Sequence, residues 1–388
     1  MNGTPHSTQH ESLRTPPIWV DTPDALMTLM RRLDQEPVIA VDTESNSLHA
    51  YFEKVCLVQF SVPGADYLLD PLALSDLSPL VPIFADPAIE KVFHAAEYDV
   101  MVLKRDHGFQ FANLFDTMIA SRVLGWPYHG LGSILGERFG VVQDKRMQRH
   151  NWARRPLSAD EMEYARLDTH YLLPLRDMLL TELKETRLLV EAKEMFAEVT
   201  AAVWNGGAFD PHGFWRIRGT RELDPAGLAT LRELYLFRDR EARRRDRPPF
   251  KVIADATLFR LAKARPRTHS DLGRVKGMTP YLIRRYGRQL LQAIAQGQRA
   301  RPPSPPRQHN HRRPAPEVTT RYEALRAWRK ARAAQRGVEP DVLVSNAALM
   351  ALARRRPETL TELKAMGILG PVKRRKYGKE ILQVLRQA

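Results

Sequence analysis

The stretch IAVDTES, residues 39–45, ends an apolar run with two carboxylates, Asp42 and Glu44, on either side of Thr43. The apolar residues before them predict a buried β-strand. Side chains at positions i and i+2 of a strand point to the same face, so the two carboxylates are predicted to lie side by side. Like charges so close repel each other unless a cation joins them. The alternative is that the two acids only mark the point where a strand leaves the core.

The length of the chain predicts more than one domain. It has 388 residues, of which 43% are hydrophobic, whereas a common domain has about 100 to 150 residues. The single cysteine, Cys56, cannot form a disulfide within the chain, and this fits a reducing, cytoplasmic setting. The N-terminus has no apolar signal segment, and no run approaches the roughly 18 apolar residues that cross a membrane. We therefore expect a soluble protein with no membrane partner. We also expect it to act as a monomer.

Charge is distributed unevenly along the chain. Residues 1–200 contain 19 Lys and Arg against 29 Asp and Glu, and residues 201–388 contain 41 against 16. The net charge of the whole chain is +15. It is the sum of an acidic first part and a strongly basic second part. Clustered Lys and Arg displace counterions from a phosphate backbone, so the basic part indicates a nucleic-acid partner, although a solvated surface would have the same composition.

The first 200 residues predict an α/β domain with a mixed sheet. A helix is expected over residues 22–36, with Thr22 as its N-cap and Pro23 in its first turn. Strands are expected over 37–45, 53–62, 66–70 and 90–95, with a further helix over 77–85. From about residue 97 the pattern is helical. Strands followed by helices favour this fold class.

Residues 215–388 contain a helical repeat. Residues 237–266 align without a gap on residues 328–357, an offset of 91 positions, and Tyr286-Gly287 aligns on Tyr377-Gly378 at the same offset. Two copies of one small all-α domain are therefore predicted. Between them, residues 298–317 are rich in Pro and Arg and predict an extended linker.

Two further acidic clusters follow the first. In FHAAEYDVMVL, residues 93–103, Glu97 and Asp99 lie in the first turn of a predicted helix, where acids also suit the helix dipole. The neighbouring His94 is expected to be a structural histidine, and Asp116 is expected to cap the helix that it opens. In the third cluster, Ser158 and Glu161 form a capping box that sets the phase of a helix.

On that helix, Tyr164 and Asp168 are four residues apart and therefore lie on one face, about 6 Å apart along the axis. They can reach a common point. The alternative is a surface pair beside a core stripe.

These motifs, taken in order, resemble a known family. Asp42-x-Glu44, Asp99 within FHAAEYD, and Tyr164-x-x-x-Asp168 resemble the three exonuclease motifs of the DEDD superfamily, in its tyrosine-bearing branch. The segments DTES, FDT and WARRPLS, with the YARLDTHYLLPL that follows, look especially like the ribonuclease D family. The helical repeats resemble the HRDC domain, and two copies after the nuclease is the arrangement of bacterial members of that family.

The resemblance implies an α/β ribonuclease H-like exonuclease domain with a mixed sheet, followed by two small all-α HRDC-like domains. It implies that Asp42, Glu44, Asp99 and Asp168 hold two divalent metal ions, Mg²⁺ or Mn²⁺, and that Tyr164 orients the attacking water. Hard carboxylate oxygens suit these metals, and two cations can stabilise both oxygens exchanged at a phosphodiester. The expected organisation is a tail at 1–17, the exonuclease at 18–205, the HRDC-like domains at 215–297 and 318–388, and the linker at 298–317.

The implied function is 3′→5′ exoribonuclease activity on the 3′ ends of transfer-RNA precursors and other structured RNA, releasing nucleoside 5′-monophosphates. The same acids would serve a 3′→5′ DNA exonuclease, and nothing in their spacing reports a 2′-hydroxyl. A third alternative is a nucleic-acid-binding protein with a silent nuclease domain.

Basic residues near the third cluster and in the repeats are candidates for RNA contact, although solvated surfaces would explain them equally well. Trp152, beside the first group, is expected to be a packing residue. The candidates are Lys145, Arg146, Arg149, Arg154 and Arg155 before the catalytic helix, and Arg243–Arg245, Arg284, Arg285 and Lys373, Arg374, Arg375 and Lys376 in the repeats.

Overall fold

The computed structural model describes residues 15–144, 146–204, 206, 209–304 and 315–388. Most of the tail, the middle of the linker and Lys145 therefore lie outside the described residues. Within the described residues, no helix combines the length and the apolar character needed to cross a membrane.

A six-stranded mixed sheet forms the centre of the first part of the chain. Its spatial order is β1-β4-β3-β2-β5-β6. The pairs β2–β3 and β3–β4 are antiparallel, and β1–β4, β2–β5 and β5–β6 are parallel. The strands are β1 (Ile18–Val20), β2 (Val38–Ser45), β3 (Val55–Val62), β4 (Ala65–Leu69), β5 (Glu90–Phe93) and β6 (Leu114–Asp116).

The prediction of a mixed sheet is confirmed, and four of its strands were predicted. The two edge strands, β1 and β6, were not predicted. Each has only three residues. A strand this short is too brief to show the alternation of apolar and polar residues from which strands are predicted. The prediction that the chain is helical from about residue 97 was therefore wrong at Leu114–Asp116.

Helices cover the sheet and carry part of the site. Thr22 caps the first of them through its side chain, and Pro23 opens it, as predicted. The helices of this part of the chain are α1 (Pro23–Leu33), α2 (Val81–Ala85), α3 (Glu97–His107), α4 (Thr117–Leu124), α5 (Leu131–Phe139), α6 (Ala159–His170), α7 (Leu172–Glu185) and α8 (Leu189–Thr200).

The helices of the two repeat copies begin at equivalent positions. Five helices of the first copy begin 91 residues before their counterparts in the second, and Arg265 and Arg356, the residues that end equivalent helices, both have positive φ. The first copy comprises α9 (Pro225–Arg244), α10 (Pro249–Val252), α11 (Asp255–Ala264), α12 (His269–Gly273) and α13 (Pro280–Arg299). The second comprises α14 (Pro316–Arg336), α15 (Pro340–Leu343), α16 (Asn346–Arg355), α17 (Leu360–Ala365) and α18 (Pro371–Gln387).

The described residues form two compact units. One contains the sheet with its helices, except for residues 46–54, together with the second helical copy. The apolar core of this unit continues from the sheet into the second copy, where it includes Leu325, Leu349 and Tyr377.

The other unit contains the first helical copy and residues 46–54. Its own core includes Phe214, Leu261 and Tyr286. Within it, the hydroxyl of Tyr51 donates to Asp239 at 2.6 Å, and the backbone N–H groups of Tyr51 and Phe52 donate to Asp246. The domain boundaries predicted from the sequence remain a proposal.

Candidate active site

Strand β2 and helix α6 bring three carboxylates together. The ligand oxygens of Asp42, Glu44 and Asp168 all lie within 4.8 Å of one another. Asp42 and Glu44 share a face of β2, as their spacing predicted. The capping box of Ser158 and Glu161 is present and fixes the start of α6, which carries Asp168 in its last turn.

Asp99 lies beside this group of three without being part of it. It is in the first turn of α3 and is buried. Its carboxylate accepts a hydrogen bond from the hydroxyl of Thr43, the residue between the two acids of β2. Its charge raises the pKa values of both Asp42 and Glu44. Thr43 therefore holds Asp99 where its charge acts on the other acids.

Removal from water raises the pKa values of all four acids. Burial is the largest cause for each, and it raises the pKa of Asp99 and of Asp168 to about 7. The pKa values of Asp42 and Glu44 are raised further by the charges of the neighbouring carboxylates. Among the ion pairs of the described residues, none involves these four acids. The cluster is therefore held either by protons or by a cation.

Tyr164 lies on α6 one turn before Asp168. Its ring is buried and stacks on Trp152, with the ring centroids 6.0 Å apart. Burial, followed by the charges of Asp168, Glu44 and Asp42, raises its pKa above the ordinary value. Its hydroxyl therefore stays protonated at neutral pH. Trp152 is a packing residue, as predicted.

Two glutamines at the site were not predicted. The amide N–H of Gln143 donates to Asp168 at 2.8 Å and opposes the rise of its pKa. Gln59 is fully buried on β3 directly opposite Asp42, and its amide atoms have no hydrogen-bond partner among the described residues. Residues directly opposite on neighbouring strands face the same side of the sheet, so Gln59 lies beside Asp42.

The donor set fits a divalent metal. Its ligands are carboxylate oxygens, which Mg²⁺ and Mn²⁺ prefer, and it includes no cysteine or histidine. The unpaired amide of Gln59 beside Asp42 adds a polar group that a hydrated cation can satisfy. Asp42, Glu44 and Asp168 would bind such an ion directly, and a role for Asp99 as a ligand remains a prediction.

Comparison with known proteins assigns the chain to a family. Residues 17–184 match the 3′-5′ exonuclease family, and residues 227–294 and 319–385 each match the HRDC domain. Ribonuclease D of Pseudomonas paraeruginosa is 30% identical over 341 residues, which are 87% of this chain and 89% of that protein. The chain belongs to the ribonuclease D family. This confirms the resemblance read from the motifs, and the family is one of 3′–5′ exoribonucleases.

Two other similar proteins define the extent of the match. Escherichia coli RNase D, described as an exoribonuclease involved in structured RNA processing, superposes with a TM-score of 0.67 at 26% identity, over 96% of this chain and 99% of that one. Protein RRP6-like 3 of Arabidopsis thaliana is 44% identical over 169 residues, which are 43% of this chain and 19% of that protein. The chain therefore spans about a fifth of the Arabidopsis protein and nearly all of the ribonuclease D chains.

Two polar residues near the site have structural roles in this family member. His94 lies 2.9 Å from the hydroxyl of Thr117, and burial lowers its pKa to about 4. Asp116 accepts hydrogen bonds from the backbone N–H groups of Met118 and Ile119 and caps α4. Both outcomes agree with the predictions.

Two candidates for RNA contact require correction. The guanidinium of Arg155 binds both oxygens of the buried Asp70, at 2.6 and 2.7 Å, and donates to the carbonyl of Cys56. Lys373 is buried, only 6% exposed. Neither cation is free for phosphate.

The other candidates remain predictions. Arg146 is exposed and pairs with Asp144 at 2.6 Å, and Arg374 is half-buried and donates to the carbonyl of Leu369. Arg149, Arg154, Arg284 and Arg285 are exposed.

Cations of the second helical copy pair with acids of α8. Glu191 is only 3% exposed, and it accepts from Arg336 and, at 2.9 Å, from Lys376. Glu194 accepts from the backbone N–H groups of Val372 and Lys373 at the start of α18. Basic residues of this copy thus hold the unit together.

Proposed function

We propose that this chain removes nucleotides one at a time from the 3′ ends of RNA by hydrolysis with two divalent metal ions, Mg²⁺ or Mn²⁺. The observation that carries the proposal is the convergence of Asp42, Glu44 and Asp168 within 4.8 Å without a described ion-pair partner. Asp99 adds a fourth acid beside them. The family assignment supports RNA as the substrate.

When bound, the metal ions would activate the attacking water and stabilise the charge on the leaving oxygen. The water oxygen forms a bond to the last phosphorus as the bond from that phosphorus to the 3′ oxygen of the preceding nucleotide breaks. The leaving oxygen takes up a proton. The products are a nucleoside 5′-monophosphate and an RNA one nucleotide shorter, which ends in a 3′-hydroxyl.

Tyr164 positions the water in this proposal. Because its pKa is raised, it cannot take a proton from water at neutral pH. Its hydroxyl can hold the water by a hydrogen bond, and stacking on Trp152 fixes the ring. Gln143 holds Asp168 in place.

The substrate class we propose is the 3′ trailer of transfer-RNA precursors and other structured RNA. The resemblance of the motifs implies this class, and the description of Escherichia coli RNase D supports structured RNA. A single buried cysteine suits a reducing cytoplasm, and we expect the chain to act as a monomer.

A comparison of matched substrates tests the proposal. RNA and DNA oligonucleotides of one sequence, labelled at the 5′ end, are incubated with the full chain in Mg²⁺ or in EDTA. We expect a ladder of products shortened from the 3′ end, with RNA and Mg²⁺ only. Faster shortening of DNA would replace the proposal with a DNA exonuclease, and no shortening of either would indicate a silent domain.

A further inference from the structure

The first helical copy contains a basic cleft with a volume of about 580 Å³. It lies among α11, α12 and the loop that follows α12, and we call it the first-repeat cleft. The acid in its lining is Asp271. Its cations are Arg260, Lys263, Arg265, Arg267, Arg274 and Lys276.

Four of the six cleft cations, including the half-buried Arg260, have no ion pair with a described residue. Arg265 pairs with Asp224 at 2.9 Å, and Arg274 lies 3.6 Å from Asp271. Lys263, Arg267 and Lys276 are exposed, and none of these three has an ion pair with any described residue. Neutralising acids are therefore within reach of only two of the six cations.

The second helical copy provides an internal comparison. Because the two copies share an offset of 91 residues, each position of the cleft has a known counterpart. Four of the six cations are replaced there by small or acidic residues. Arg260, Arg267, Arg274 and Lys276 correspond to Ala351, Glu358, Ala365 and Gly367.

A difference in fold does not explain why four of the cleft cations are missing from the second copy. The helices of the two copies start at equivalent positions, and the arginine after α11 has its counterpart after α16 in the same left-handed conformation. Arg238 and Arg329 make equivalent buried bonds, to the carbonyls of Ile253 and Val344. Residues that the fold needs are thus kept in both copies, whereas four of the six cleft cations occur only in the first.

We propose that the first-repeat cleft binds the phosphate backbone of the RNA substrate and that the second copy has no such site. The inference rests on the proposed function for its choice of polyanion. Guanidinium groups of Arg suit phosphate oxygens because they can donate two parallel hydrogen bonds. The three exposed cations without an ion pair, Lys263, Arg267 and Lys276, would release counterions on binding, so the contact should depend on salt.

Binding of RNA to two matched variants of the full chain tests this inference. One variant carries Arg267→Ala, Arg274→Ala and Lys276→Ala in the cleft. The control carries Arg354→Ala, Arg355→Ala and Lys364→Ala in the second copy. Each loses three exposed cations, so the net charge is the same. The affinity for a fluorescent RNA hairpin with a single-stranded 3′ tail is measured by anisotropy in EDTA, over a series of salt concentrations.

We expect the cleft variant to lose about tenfold or more in affinity at about 0.1 M salt, and its plot of log affinity against log salt to flatten by about 2. The control should stay close to the unmodified chain. Equal losses in the two variants, or no loss in the cleft variant, would overturn the inference. Displacement of the RNA by poly-glutamate of equal total charge would also overturn the inference, because the cleft would then bind any acidic polymer.

Hydrolysis separates this inference from the proposed function. The cleft variant should cut a very short RNA in Mg²⁺ at the unmodified rate, because the cleft is not part of the carboxylate site. If the unmodified chain cut no RNA, the proposed function would fail, and the difference in binding between the two variants would still decide on the cleft.

Discussion

Asp42, Glu44 and Asp168 lie together with no described ion pair, whereas Glu191, in the same unit, lies between Arg336 and Lys376. Both arrangements remove acids from water, Glu191 almost completely and the group of three in part. Only the second provides the opposite charge that normally offsets the loss of hydration. A buried acid with cations of its own stabilises the fold, and a group of acids without them is arranged to receive a cation. The following predictions test that distinction.

The largest expected effect is on hydrolysis. Asp168→Asn removes a charged ligand with little change in size, and RNA hydrolysis should fall by about 1,000-fold or more, since a catalytic metal contributes several kcal/mol. The thermal unfolding temperature should not fall, because the variant also removes repulsion. Single-turnover cleavage and a melting curve measure both. More than a small residual rate at saturating Mg²⁺ would contradict the assignment.

The next effect is on stability. Glu191→Ala removes a buried carboxylate and leaves the half-buried Arg336 without it, so the free energy of unfolding should fall by about 3 kcal/mol. Denaturant unfolding measures this change. Glu323→Ala, at an exposed pair with Arg326, is the control and should change stability by less than about 1 kcal/mol. Equal changes in stability in the two variants would contradict a structural role for Glu191.

Tyr164→Phe should have an intermediate effect on turnover. It removes one hydroxyl and keeps the ring on Trp152, so turnover should fall by roughly 10- to 1,000-fold, as for one lost positioning hydrogen bond. Metal affinity and RNA affinity should remain near those of the unmodified chain. An unchanged single-turnover rate would show that Tyr164 only packs.

The smallest effect is on the pH dependence of stability without metal. The pKa of Asp168 is about 7 in the folded chain and about 3.9 when unfolded, so the folded state holds the extra proton between these values. In EDTA, stability should fall as pH rises from about 4 to about 7, and Mg²⁺ should reverse the loss. Asp168→Asn should show a weaker dependence. A melting temperature that rises over this range in EDTA would contradict the raised pKa values.

Local patterns were sufficient to predict much of this structure. Strands β2 to β5, the caps at Thr22 and Ser158, and the 91-residue repeat all depend on residues close in sequence or on direct alignment. The four acids and Tyr164 were named as candidates because three motifs occur in order, and the structure brings three of them, Asp42, Glu44 and Asp168, together.

Contacts between distant residues were not predictable. The position of Gln59 opposite Asp42 depends on strand register, and the bond of Gln143 to Asp168 depends on a loop. Arg155 was named as a candidate for phosphate contact from its place before α6, and its bond to Asp70 could not be foreseen because the two residues are 85 positions apart. Lys376 was likewise a candidate for RNA contact, although its ammonium group pairs with Glu191 of α8.

Counting bound Mn²⁺ tests the central claim most directly, because it asks whether the acids without a described ion pair hold metal. Equilibrium dialysis with detection by electron paramagnetic resonance is applied to the unmodified chain, to Asp42→Asn, and to Glu191→Gln as the buried-acid control. We predict two Mn²⁺ ions per chain for the unmodified protein and for Glu191→Gln, and fewer for Asp42→Asn. No Mn²⁺ bound to the unmodified chain, or equal binding by Asp42→Asn, would contradict the account.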